Sequence, residues 1–337
     1  MSPRIVLCYP VEAQHIERIA AAMPGAEIVD AGQERIAREL LAADIFCGHA
    51  KVPVDWDAVV RRGRLRWIQS SAAGMDHCLV PSVVASDIAV TSASGVLADQ
   101  VAEHTIALIT AWGRGLPAFF RAQQKREFIR RPTRDLTGAT VGIAGLGGVG
   151  RRLAELLVPF RARVLATDMF PIDKPASVEA LWPAERLDDL LAAADILVLC
   201  LPLFDRTRAV IDAAALKKMK PGALLVNVAR GPLVVTADLV AALSAGRLGG
   251  AVLDAADPEP LPPESPLWAF PHVIITPHVG GQSAWRIDRM TELFCRNLGR
   301  RRAGLPLVNF ITDKRLGFPI RGGGYPLWGE PSNDGGS

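Results

Sequence analysis

Short apolar runs alternate with amphipathic stretches along almost the whole chain. Apolar runs bounded by turn formers read as strands buried on both faces. Apolar positions at helical spacing read as the helices that cover them. In the first part, strands are predicted at residues 5–9, 27–30, 44–47, 67–70 and 88–91, with helices at 12–22 and 34–42. A long helix is predicted over 97–112, followed by an Arg-rich connecting arm at 121–135. A second strand series falls at 140–144, 163–167, 196–201, 224–228, 250–253 and 273–276, with helices at 151–157, 187–193, 213–219 and 237–245. Residues 254–272 are Pro-rich and lack a helical period. An irregular segment of that length inside a compact domain is usually functional. A last helix is predicted at 282–300, and the Gly- and Pro-rich tail 313–337 is expected to be poorly ordered or to wrap over the surface. The pattern predicts α/β architecture in two Rossmann- or flavodoxin-like domains with parallel sheets.

With 337 residues the chain is long enough for two domains. It is 50% hydrophobic and 22% charged, which excludes disorder for its bulk. Lys and Arg number 38 against 35 Asp and Glu, a net charge of +3, so neither nucleic acid nor an anionic membrane is demanded as a partner. No apolar run approaches the ~20 residues that span a bilayer. The opening MSPRIVLCYP lacks the apolar core and cleavage site of a secretory signal. Cys8, Cys47, Cys78, Cys200 and Cys295 are scattered, with no CxxC pair. They read as reduced core residues of a cytoplasmic protein. No metal is expected, because no His, Cys and carboxylate cluster has ligand spacing.

The sharpest local signal is Gly145-Leu-Gly147-Gly148-Val149-Gly150. It follows an apolar strand and opens a helical run, the context a dinucleotide fingerprint requires. Gly145 permits the tight turn, Gly147 lets backbone approach a pyrophosphate, and Gly150 allows close helix–strand packing. Amides at the helix start then hold the anion. The next strand ends at Asp168, whose carboxylate suits both hydroxyls of an adenosine ribose. Met169 and Phe170 follow it, with no Arg for a 2′-phosphate, so NAD is favoured over NADP. Because the fingerprint lies mid-chain, residues 96–281 are expected to form a dinucleotide-binding domain inserted into a substrate domain of residues 1–95 and 282–337.

Chemistry in doubly wound sheets sits beyond the carboxyl ends of strands. Three such ends carry Arg230, then Asp254 with Glu259 in the Pro-rich loop, then His278. A planar Arg grips a carboxylate bidentately, which Lys cannot. Imidazolium supplies a proton near neutral pH, and a neighbouring carboxylate favours that form.

These stretches resemble the D-isomer-specific 2-hydroxyacid dehydrogenase family. The matching segments are GLGGVGRRLA, CLPLFDRTRAVI, LKKMKPGALLVNVARGPLV, LGGAVLDAADPEPLPPESPLW and TPHVGG, with IQSSAAGMDHC and ADQVAEHTIAL upstream. The resemblance is weakest before about residue 60 and after about residue 312. It implies hydride transfer between NAD(H) and C2 of a 2-hydroxy or 2-oxo acid, with a glyoxylate- or hydroxypyruvate-type substrate. Arg230 would grip the substrate's carboxylate and keto oxygen, His278 would exchange the proton, and Glu259 would hydrogen-bond His278. Ala73 and Gly74 resemble the amides that cradle the substrate carboxylate. The implied cofactor contacts are Gly145, Gly147, Gly148, Val149, Gly150, Asp168, Leu201, Pro202, Thr207, Val228, Ala229, Arg230, Asp254, His278 and Gly280. Asp254 resembles the residue that meets the nicotinamide carboxamide.

Some features depart from the family. Ala255-Ala256 replaces an aromatic pair after the LD element, which would enlarge or loosen the wall beside the site. Phe128 stands where relatives often carry Trp. Trp285 reads as a core residue. His49 and Lys51 lie at a strand end, where Lys51 is a candidate contact for a distal charge of the substrate. His77, His104 and His272 show no partners that would make them ligands. The helix at 97–112 is apolar on more than one face, and with the resemblance this predicts a homodimer. Two other functions fit the same resemblance: an NAD(H)-sensing corepressor, and a specialised enzyme such as a phosphoglycerate or formate dehydrogenase.

Overall fold

The structure, a computed structural model, describes residues 2–320. The chain folds into two compact units. One takes the residues up to Leu97 and again from Ser283, and the other is Ala98–Gln282. In the first unit β1 (Arg4–Cys8), α1 (Ala13–Ala22), β2 (Glu27–Asp30), α2 (Gly32–Glu39), β3 (Ile45–Gly48), α3 (Trp56–Arg62), β4 (Trp67–Ser70), α4 (Pro81–Val84) and β5 (Ala89–Thr91) alternate. The second unit opens with α5 (Ala98–Gly113) and α6 (Leu116–Gln124), then β6 (Thr140–Ala144), α7 (Gly148–Leu157), β7 (Arg163–Asp168) and β8 (Ala180–Pro183). It continues through α8 (Leu187–Ala193), β9 (Ile196–Leu199), α9 (Ala213–Lys218), β10 (Leu224–Asn227), α10 (Thr236–Ser244), β11 (Gly250–Leu253) and β12 (Val273–Ile275). The chain then returns to the first unit as α11 (Arg286–Arg302).

The first unit holds a parallel sheet of order β2-β1-β3-β4-β5, the second one of order β12-β11-β10-β9-β6-β7-β8. The central strands of each sheet are buried on both faces, which is why they read as continuous apolar runs. In the first unit Val6, Phe46, Ile68 and Val90 pack on one face. Ile5, Ile45 and Trp67 pack on the other, against Met290, Leu293 and Phe294 of α11. In the second unit Val141, Ile143, Val198 and Val226 meet Ala102 and Ile109 of α5. Leu165, Leu197, Leu225 and Leu253 meet Leu190, Leu216 and Leu239 from the opposite side. Truncating any of these buried leucines to Ala would cost about 2–5 kcal/mol. Asp55 and Asp212 cap α3 and α9 by accepting the amides of Ala58 and Ala215.

The structure corrects the sequence reading at several places. The Arg-rich arm begins as helix, since α6 extends to Gln124 with Pro117 in its first turn. Strand β8 was not anticipated. It is a four-residue edge strand ending in Pro183 and paired with β7 from Ala180 opposite Leu165. Trp285 is 65% exposed, not core, because it precedes α11 and its apolar face. Of the C-terminal tail, residues 321–337 lie outside the described residues. Before them, Lys314 Nζ donates to Val83 O (3.2 Å), which ties this segment to α4.

Candidate active site

The fingerprint loop is built at the switch point of the second sheet, where β6 pairs with β7 on one side and β9 on the other. Gly145 lies at φ +93°, and a Cβ there would meet Cys200 O at 2.8 Å. A Cβ on Gly150 would sit 2.3 Å from Gly145 O, so the helix can close on the strand only through glycine. Gly147, the N-cap of α7, has no atom within 4 Å of its would-be Cβ, so its face is open. The amides of Gly148, Val149 and Gly150 precede the helix's own hydrogen-bond ladder, whose first bond is Arg151 N to Gly147 O. That combination of open backbone and helix start fits a pyrophosphate.

Asp168 accepts Leu146 N (2.7 Å) and Phe170 N (2.9 Å), so its carboxylate is locked beside the loop. On the neighbouring strand end, Thr207 donates to Pro202 O (2.7 Å) and accepts Phe204 N (2.9 Å), shaping the turn that follows Leu201. Burial pushes the Cys200 thiol up to about 12, so it stays neutral and is no nucleophile.

The catalytic candidates leave three adjacent strands at one level. Asn227 of β10 registers with Leu253 of β11, and Leu253 with Ile275 of β12. Just beyond lie Val228, Ala229 and Arg230, then Asp254, then Thr276 to Gly280. Asn227 is fully buried, donates to Arg230 O (2.8 Å) and accepts Ala229 N (3.1 Å). It therefore sets the backbone from which the guanidinium projects, while Arg230 Nη1 donates to Ala229 O (2.8 Å). A Cβ on Gly231 would fall 1.8 Å from Ala256 O, and Ala255 is 2% exposed. The Arg230 turn thus backs closely onto the Ala256 carbonyl because residue 231 has no Cβ, while Ala255 and Ala256 together with Asn227 and Gly231 line a small cavity beside it.

His278 Nδ1 lies 2.8 Å from Glu259 Oε1. An ionised carboxylate can only accept, so Nδ1 carries the hydrogen and Nε2 is left to exchange a proton. His278 itself sits at φ +54°. Its amide donates to Asp254 O (2.9 Å). Asp254 is buried, and its carboxylate accepts Thr276 Oγ1 (2.7 Å), Val279 N (2.9 Å) and Gly280 N (2.9 Å). The Gly280 amide is therefore spent inside the protein.

His104 of α5 does have partners: its Nε2 is 3.2 Å from Thr276 Oγ1 and 3.3 Å from Asp254 Oδ1. His272 carries Trp112 Nε1 on its carbonyl (3.1 Å) and packs on Phe270, with burial holding its ring below the usual imidazole range. In the first unit Ala73 and Gly74 lie in the loop after β4. Lys51, past the end of β3, is exposed, and its amide donates to Gln33 Oε1 (2.7 Å). His77 stacks on His49 (3.9 Å) and lies 3.3 Å from Ser70 Oγ. Among the described residues there is no metal-holding group of His, Cys and carboxylates, and no helix long and apolar enough to cross a membrane.

Residues 106–280 match the family model of the D-isomer specific 2-hydroxyacid dehydrogenase NAD binding domain. The chain is 35% identical over 277 residues to a glyoxylate reductase of Thermofilum pendens, covering 79% of this chain and 80% of that one. It is 35% identical over 251 residues to an (S)-sulfolactate dehydrogenase of Chromohalobacter salexigens, covering 73% and 81% respectively. Among solved structures, an NADPH-dependent glyoxylate/hydroxypyruvate reductase of Sinorhizobium meliloti, in complex with NADP and sulfate, superposes with a TM-score of 0.79 at 27% identity. That match covers 94% of this chain and 100% of the other.

Proposed function

Because the chain belongs to the D-isomer-specific 2-hydroxyacid dehydrogenase family, we propose that it interconverts short 2-oxo acids of the glyoxylate or hydroxypyruvate type with their D-2-hydroxy acids, with NAD(H) as its cofactor. It is an oxidoreductase acting on the CH–OH group of 2-hydroxy acids with a nicotinamide dinucleotide. The observation that carries the assignment of roles is the 2.8 Å contact of His278 with Glu259 of the Pro-rich loop, where His278 and Arg230 follow strand ends at one level.

The dinucleotide would be held by Gly145, Gly147, Gly148, Val149 and Gly150 at the start of α7, with Asp168 toward the ribose and Leu201, Pro202, Thr207, Val228, Ala229 and Gly280 along its length. When bound, it supplies or accepts the hydride. Arg230 receives the substrate carboxylate and polarises the keto oxygen, where negative charge develops. His278 delivers a proton to that oxygen from Nε2 and recovers one in the reverse direction. Glu259 holds Nδ1–H and so fixes which nitrogen works. Asp254, whose Oδ2 accepts Gly280 N, is the candidate to meet the nicotinamide carboxamide. The test is NADH consumption on addition of glyoxylate, hydroxypyruvate or pyruvate. Turnover with at least one is expected, and none with any of a wide panel of 2-oxo acids would defeat the proposal.

Asp168 is proposed to set cofactor choice. A 2′-phosphate would bring like charge to a carboxylate already fixed by two backbone amides. NADH should therefore outperform NADPH. Asp168→Asn, which keeps an acceptor for the loop, should narrow that preference by about tenfold or more. Equal use of both by the unaltered protein would contradict the assignment.

A homodimer is proposed from the second unit's surface. Phe120 is 58% and Phe128 97% exposed, and Arg121 ties α6 to Pro271 O (2.7 Å), near exposed Trp268. These exposed aromatic side chains, with the helix α5 (Ala98–Gly113) that precedes them, are the candidates for the association surface. Light scattering at micromolar concentration should give twice the chain mass, and a monomer mass would count against it. The free thiols support a reducing, cytoplasmic setting.

A further inference from the structure

His278 occupies a left-handed backbone conformation, φ +54°, which a side-chain-bearing residue holds only when its flanks are over-determined. Those flanks converge on one residue. Asp254 takes Thr276 Oγ1, Val279 N and Gly280 N on its carboxylate and His278 N on its main-chain oxygen. That carboxylate is 4% exposed, and a buried charge is costly unless it is compensated. His104 of α5 reaches that carboxylate.

The hydrogen count fixes how His104 does so. Thr276 Oγ1 has a single hydrogen, and at 2.7 Å it is given to Asp254 Oδ1. The same oxygen lies 3.2 Å from His104 Nε2, so Oγ1 accepts there and Nε2 is the donor. Nε2–H also faces Asp254 Oδ1 at 3.3 Å. The ring packs on the His278 loop itself, since a Cβ on Gly280 would come within 3.3 Å of His104 Cδ2. One imidazole N–H thus closes a triangle with Thr276 and Asp254, the two residues that hold the loop.

We infer that His104 is a positioning residue that, through Asp254 and Thr276, holds His278 in the conformation that presents its Nε2 for proton transfer. The inference rests on the proposed acid–base role of His278 and adds a residue that touches neither substrate nor cofactor in that scheme. Its requirement is an N–H at the Nε2 position, not a charge. A glutamine amide can meet that requirement and a leucine cannot.

The test compares the unaltered protein with His104→Leu and His104→Gln in the reduction of a 2-oxo acid. A second readout that needs no turnover is the imidazole NMR resonance of the His278 Nδ1–H held by Glu259, assigned by its loss in His278→Ala. His104→Leu should lower kcat by roughly 10- to 100-fold, the scale of a misplaced catalytic group, with KM for the oxo acid changed far less. It should also broaden or abolish the resonance, and NADH affinity should stay within a few-fold. His104→Gln should restore both kcat and the resonance, with an unchanged pH–rate profile. If His104→Leu does not fold, Thr276→Val breaks the same triangle from the other side and should give the same loss. Normal kcat and an intact resonance in His104→Leu would overturn the inference. So would equal loss in Leu and Gln, which would make the ring merely packing. If the unaltered protein reduces no oxo acid but the resonance is lost in Leu and regained in Gln, the proposed function fails and the positioning stands.

Discussion

Replacing His278 by Ala is expected to slow reduction of a 2-oxo acid by roughly a hundredfold to ten-thousandfold, the usual worth of a general acid. The expectation follows from the 2.8 Å contact between Nδ1 and Glu259, which leaves Nε2 as the proton-bearing atom. NADH affinity should survive, because the pyrophosphate candidates Gly145, Gly147 and Gly150 belong to a different strand end. Oxidation of the hydroxy acid passes the proton back through the same Nε2, so His278→Ala should slow both directions. Glu259→Gln should lower both rates, since an amide no longer selects the tautomer that leaves Nε2 available. Near-normal turnover and an unchanged pH profile in His278→Ala would remove His278 from the mechanism. Rate profiles for the three proteins, with NADH affinity measured separately, decide this.

Arg230→Gln should be comparably severe, lowering kcat/KM by about a hundredfold or more, because the same group binds the carboxylate and meets the charge that develops on oxygen. Its turn is rigid: Asn227 holds Arg230 O at 2.8 Å and Gly231 backs onto Ala256. A lysine has no planar fork to offer two oxygens at once, so Arg230→Lys should recover little. Saturation kinetics on both variants, with circular dichroism to show that the fold persists, would check this. Full recovery in Lys would mean that only charge matters at this position.

The elements most legible in the sequence were those whose burial is uniform. Residues 140–144 and 250–253 are enclosed on both faces, and the apolar run marks the strand ends without help from context. Strand β8 lacks that signature, since it lies at the sheet edge, partly exposed and ending in Pro183. Helix α6 hides its start behind Gly115 and Pro117, and its Arg121 looks like part of a charged arm. Within the site, the glycine fingerprint announces itself because Gly145 and Gly150 answer steric demands that a Cβ would violate, while Gly147 leaves its backbone face open. Asp254 was legible as a residue but not as the hub of the His278 loop. Its partners come from residues 276–280 and from His104 on a remote helix, and only the folded backbone brings those donors to one carboxylate. A single histidine in a helical run carries no mark of the carboxylate it will meet. Trp285 misleads for the converse reason: composition favours burial of Trp, while its place just ahead of α11 leaves it 65% exposed.

The central claim is transfer of a hydride to C2 of a 2-oxo acid, with His278 supplying the proton to oxygen. The most direct measurement uses NADH carrying deuterium on the transferable face of the nicotinamide, with glyoxylate, hydroxypyruvate or pyruvate as acceptor and mass and NMR analysis of the product. The account predicts one deuterium bonded to C2 in every product molecule, and a single D enantiomer where C2 is a stereocentre. A product without deuterium at C2, or NADH that is bound but never oxidised by any 2-oxo acid, would contradict it.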